Sequence, residues 1–132
     1  MEKIEQLSLV YLKFLTAIDW SDNLLTAGLK EGLRKFLSNA YIAQYSKNKY
    51  LLGHYYSSAA YEKVQSGDFK GLVFEHMVPK RKYIQEPCEN AAKDGLLTQE
   101  MIRDLLSRYW KIAVITSEED KLLESTKMRD GS

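Results

Sequence analysis

Trp110-Lys111-Ile112-Ala113-Val114-Ile115-Thr116-Ser117-Glu118-Glu119 is the stretch on which the fold turns. Residues 110–116 are rich in β-branched side chains, which suit a pleated, half-buried surface, so they read as a strand. Thr116 and Glu119 then form a capping box. The hydroxyl can accept from the backbone N–H three residues on, and the carboxylate can reach back to the N–H of Thr116. Strand therefore gives way to helix at one residue, and the helix is predicted to run through Asp120, Leu122 and Leu123 to about Lys127. Upstream, Thr98 offers a cap for a helix through about Tyr109, with Met101, Ile102, Leu105 and Leu106 on its buried face. Residues 86 to 97 read as a loop or weak turn region. Before them, Gly71-Leu72-Val73-Phe74-Glu75-His76-Met77-Val78 is a short apolar, β-leaning run closed by Pro79, giving a strand over 70–78. The order is strand, inserted helix, strand, helix. Without the insertion, a ββα unit remains.

The first half is helical in pattern. Ile4, Leu7, Val10, Tyr11, Phe14, Leu15 and Ile18 recur at three- and four-residue steps, predicting a helix over 2–18. Ser21 or Asp22 can cap a second stripe of Leu25, Leu29, Leu33, Phe36 and Leu37. Gly28 and Gly32 sit inside it, and mark either a close helix–helix approach or a weak helix. A third stripe from Ser38-Asn39 takes in Tyr41 and Tyr45. It is interrupted around 46–49 and resumes as helix with Tyr55, Tyr56, Ala59 and Ala60. Tyrosines beside Lys47 and Lys49 suit either base stacking or a packed helix face. Lone His54 suggests no role. Ser66-Gly67-Asp68 closes the region with turn chemistry. The predicted fold is α+β: an N-terminal helical region (1–66) packed on a C-terminal ββα-like region (67–132) with an inserted helix, together one compact domain.

Composition narrows the function classes. With 19 Lys plus Arg against 18 Asp plus Glu, the formal net charge is +1, so the chain does not coat nucleic acid by bulk charge and any basic function is local. A single cysteine, Cys88, forms no disulfide framework and no thiolate zinc site, and points to a reducing, cytoplasmic setting. No run approaches a membrane span, and the mixed start Met1-Glu2-Lys3-Ile4-Glu5 is unlike a signal peptide.

The first strand ends in Glu75-His76-Met77-Val78-Pro79. This E-H-x-x-P resembles the first motif of HNH-type nucleases, which use a ββα-metal fold, and in particular the E-H-I-x-P variety of restriction-like systems. Residues 110–123 resemble the second strand and helix of that unit, so the likeness covers roughly 70–130. It implies a metal-dependent endonuclease or a nuclease-derived DNA-binding protein. Glu75 would hold a divalent ion, Mg²⁺ or Mn²⁺, and His76 would activate water. The helix position that completes the metal site is best matched by Asp120. The residue types suit the chemistry: an imidazole titrates near neutrality, and carboxylate oxygens suit a hard cation. Lys80, Arg81 and Lys82 follow the motif and suit phosphate contacts. The chain departs from the pattern in lacking the structural Asn, a Gly-Asn pair, and the His or Asn of the motif helix. A structural reading of the same residues makes Glu75 and His76 ordinary strand-end residues, and Glu118, Glu119 and Asp120 partners of the helix dipole. Two other classes remain open. One is a non-enzymatic interaction protein, such as an inhibitor or immunity protein of a phage or mobile element. The other is a helical dimerisation module built on the 2–37 stripes.

Overall fold

The computed structural model describes residues 2–126, and the fold is α+β. Its contacts form two compact units, each drawing on two separate stretches of sequence.

The helical unit takes residues up to 45 together with 80–109. It contains α1 (Glu2–Thr16), α2 (Asn23–Gly28), α3 (Lys30–Ala43), α4 (Glu86–Lys93, entered through a π turn at Arg81–Gln85) and α5 (Gln99–Tyr109). Helix α1 packs against α3, α4 and α5. Leu7, Tyr11 and Leu15, at four-residue spacing, are its fully buried face, and Leu37, Ile84, Cys88, Ile102 and Leu106 close around them. Phe14 stacks on Phe36 with ring centroids 4.2 Å apart, joining α1 to α3. The stripe over 25–37 is not one helix. Asp22 caps α2 by accepting from Leu24 N and Leu25 N, the helix stops at Gly28, and α3 begins at Lys30. Ser38-Asn39 lies inside α3 rather than starting a new element.

Residues 86–93, expected as loop, are helix α4. Pro87 sits in the first turn, where its missing N–H costs no bond. Gly95, at φ +71°, ends the helix: Gly95 N donates to Ala92 O and Leu96 N to Ala91 O, the paired bonds of a Schellman motif. Two helices rather than one are therefore inserted between the paired strands, and both belong to the helical unit.

The second unit takes residues 46–79 and the chain from 110 onward. It contains a 3-10 turn (Lys49–Leu51), β1 (Tyr55–Tyr56), α6 (Ser58–Gln65), β2 (Leu72–His76), β3 (Ile112–Thr116) and α7 (Ser117–Thr126). The sheet order is β1-β3-β2, with β2 antiparallel and β1 parallel to β3. Tyr55 and Tyr56, expected on a helix, are strand residues paired with Ala113 and Val114. The hairpin register sets Leu72 opposite Thr116 and His76 opposite Ile112. Ala60 of α6, Leu72 and Val114 form a buried cluster, with Tyr50, Tyr56, Val64 and Phe69 packed against it. Helix α7 follows β3 without a loop and packs on β3 and β2. The capping box forms: Glu119 N donates to Thr116 Oγ1 at 3.2 Å, and Thr116 N to Glu119 Oε1 at 2.8 Å.

Candidate functional site

Glu75 and His76 are consecutive on β2, so their side chains leave opposite faces of the sheet. His76 shares its face with Phe74, Ile112 and Val114, and its ring meets Trp110 edge-on at 4.7 Å. Glu75 shares the other face with Val73, Ala113 and Ile115. Both are half-buried. Asp120 lies on α7, three residues past Ser117, which is about 5 Å along a helix axis. Glu75 and His76 lie three and four residues beyond Leu72, the partner of Thr116, which is about 10–13 Å along a strand. The register places Glu75 and His76 toward the Ile112 end of the strand pair, while Asp120 follows its Thr116 end along the chain. The structure sets the motif acid and base side by side along the backbone of β2, with Asp120 on the helix that follows β3. Among the described residues, no three His, Cys, Asp or Glu side chains form a group that could hold a metal ion.

The acid that is tightly engaged at the strand–helix junction is Glu119. Its Oε1 accepts from Thr116 N and from Ser57 Oγ at 2.7 Å, and Ser57 is itself the cap of α6. The Thr116 N–H first, then the Ser57 hydroxyl, hold its carboxyl below the usual carboxylate range. Glu119 thus ties α7, β3 and α6 together through hydrogen bonds to its ionised form.

Lys80, Arg81 and Lys82 belong to the helical unit and have unequal surroundings. Arg81 makes a bidentate pair with Glu89 at 2.5 and 2.9 Å, and the Glu89 side chain is only 5% exposed. That pair fixes the entry to α4, so Arg81 has a structural task whatever else it binds. Lys80 is half-buried, and desolvation pushes its ammonium below the ordinary lysine range, with the charges of Arg34 and Arg81 adding to the effect. Lys82 is exposed, with its ammonium 5.6 Å from the centre of the Tyr83 ring.

Two residues without a sequence signal have defined places. His54 Nδ1 accepts from Ile112 N at 3.0 Å, while His54 N donates to Ile112 O at 2.8 Å, so the residue extends the β1–β3 pairing by one step. Burial pushes its pKa down, with Lys111 adding to the shift. Cys88 is fully buried, and its thiol is pushed up to about 12 by desolvation and by Glu89, so it is a packing residue rather than a nucleophile. Among the described residues, no helix is long and apolar enough to cross a membrane. No family model, no curated protein and no solved structure matches this chain.

Proposed function

We propose that this chain is a nuclease-derived DNA-binding protein built around an HNH-like ββα unit, with Lys80 and Lys82 as phosphate contacts. The observation that carries the reading is the register. The strand bearing Glu75-His76-x-x-Pro79 pairs antiparallel with 112–116, and that second strand runs directly into a capped helix. This is the element order that the motif implies. Binding rather than cleavage is the activity proposed, because Glu75 and His76 leave opposite faces of β2.

The test is titration of single- and double-stranded oligonucleotides across a salt series, with wild type and a Lys80→Ala/Lys82→Ala variant. Each lost phosphate contact lowers the log–log salt slope by about one. No affinity for either form of DNA rejects the reading. Incubation with Mg²⁺ or Mn²⁺, beside a His76→Ala control, decides whether the activity extends further. Cleavage that vanishes in the control would make the protein an enzyme.

A second reading, a non-enzymatic interaction protein, is favoured by helix α2. None of its residues is buried, and Leu24 is 84% exposed with Leu25 exposed beside it. That reading expects a stoichiometric protein partner, lost on Leu24→Ser/Leu25→Ser substitution, and no response of DNA to either set of variants.

A further inference from the structure

Helices α2 and α3 and the π turn before α4 line an open hollow of about 350 Å³, bordered by Asn23, Thr26, Ala27, Lys30, Leu33, Arg34 and Arg81. We propose that this hollow is a phosphate-binding site, taking the phosphate of either a small phosphorylated molecule or a nucleic-acid strand. It lies wholly within the helical unit and does not depend on the ββα reading.

Three side chains of the lining are cationic and none is a carboxylate. Lys30 and Arg34 are one helical turn apart, so they project from the same face of α3. Arg81 reaches the hollow from a different element, with its guanidinium oriented by Glu89. Lys80, next along the chain, adds a fourth positive charge close enough to Arg34 and Arg81 to be affected by both. Cations gathered at one concave surface raise the local positive potential, which favours an anion. Two of the three cations have carboxylate partners: Arg34 pairs with Glu31, and Arg81 with Glu89 and, at 3.9 Å, with Glu86. The Arg34–Glu31 pair is exposed, with side chains 57% and 66% accessible in that order, and such a pair contributes little and rearranges readily. Glu89 holds Arg81 in an orientation that preorganises its remaining donors, as planar recognition of phosphate requires. The hollow is larger than a phosphate group, which leaves room for what the phosphate is attached to.

The sequence motif reads Lys80-Arg81-Lys82 as a linear basic run. The fold instead brings Arg81 together with Lys30 and Arg34, about fifty residues earlier, and sets Lys80 near Arg34 outside the lining.

The test is calorimetric titration and thermal melting of the full chain with inorganic phosphate, pyrophosphate and chloride at matched ionic strength, then with a short oligonucleotide. Lys30→Gln and Lys80→Gln are the variants, Lys121→Gln on α7 is the control, and circular dichroism checks that each folds. Arg81 is left intact because its pair with Glu89 is structural. The expected result is saturable binding of phosphate or pyrophosphate with a raised melting midpoint, weakened about tenfold or more by each hollow variant and unchanged by the control. Midpoints equal to those in chloride overturn the site, and so does binding that survives both hollow variants. Oligonucleotide binding without phosphate or pyrophosphate binding also overturns the site, while leaving the DNA-binding reading standing. Phosphate binding without oligonucleotide binding supports the site and rejects that reading.

Discussion

His54 completes a strand with its side chain. Its Nδ1 occupies the place of a backbone carbonyl and accepts from Ile112 N, a bond between residues 58 positions apart. Only neutral imidazole offers that lone pair, so the fold favours the deprotonated form. The folded pKa lies below the ordinary 6.5. The sign follows: the contribution to stability is fully present above about pH 6.5 and is lost as pH falls through the lower, folded-state value. Urea unfolding of wild type and His54→Ala at pH 7.5 and pH 5 checks this. Loss of the acceptor costs about 1–2 kcal/mol at pH 7.5, and the gap between the two proteins narrows at pH 5. A gap that stays constant with pH would show that the imidazole does not act as the acceptor. Gly53, the preceding residue, is required by a close approach: a Cβ there would meet Val114 Cγ2 at 2.7 Å and the Tyr56 ring at 3.1 Å. Val114 is fixed in the central strand and Tyr56 by its bond to Tyr50 O, so neither can easily give way. Gly53→Ala is expected to cost about 1–3 kcal/mol in equilibrium unfolding. Neither residue was legible in the sequence, because each is defined by β3, which lies far along the chain. Glu119, by contrast, was legible: its chief partner, Thr116, is three residues away.

At the scale of elements, local chemistry was readable and pairing was not. The capping box places the start of α7 at the residue where β3 ends, and both of its hydrogen bonds form. Thr116→Ala removes the bond to Glu119 N and is expected to cost about 1 kcal/mol. It should also fray α7, which denaturant titration and amide exchange over 117–122 would register. If exchange there is unchanged, the helix is held by its packing on β2 and β3 and not by its cap. The strands 72–76 and 112–116 were readable from their β-branched and aromatic runs. Strand β1 was not, since two residues carry no period, and Tyr55 and Tyr56 become strand only because the free edge of β3 receives them. Helix α4 was hidden by Pro87, which reads as a breaker along the sequence but is harmless in a first turn. The candidate site shows the same division. The E-H-x-x-P strand end and the helix after β3 were found from local pattern. The opposite facing of Glu75 and His76 follows from their adjacency in the predicted strand, whereas the engagement of Arg81 by Glu89 depends on the helix at 86–93 that the sequence hides.

At the scale of the molecule, each compact unit is discontinuous along the chain, and this has a consequence for folding. Helix α1 buries Leu7, Tyr11 and Leu15 among partners that include Ile84 and Cys88 around α4, and Ile102 and Leu106 of α5, all of which lie beyond residue 80. The Glu5–Arg103 pair at 3.2 Å and the bond from Gln99 Nε2 to Glu5 O tie the same helices across more than ninety residues. Strand β1 likewise has its partner at 113–114. Sequence pattern groups residues 1–66 as a helical region because periodicity reports a buried face without saying what covers it. A fragment comprising 1–66 retains α1, α2, α3 and α6 but leaves α1 without α4 and α5, and β1 and α6 without the sheet. Helices of six to fifteen residues are marginal in water without tertiary packing. The fragment is therefore expected to show reduced helicity and a broad, non-cooperative thermal transition by circular dichroism. The whole chain should melt sharply, and its core substitution Leu106→Ala should cost about 2–5 kcal/mol. Cooperative melting of the 1–66 fragment would mean that the N-terminal helices form a domain of their own, and that α4 and α5 dock onto a structure already made.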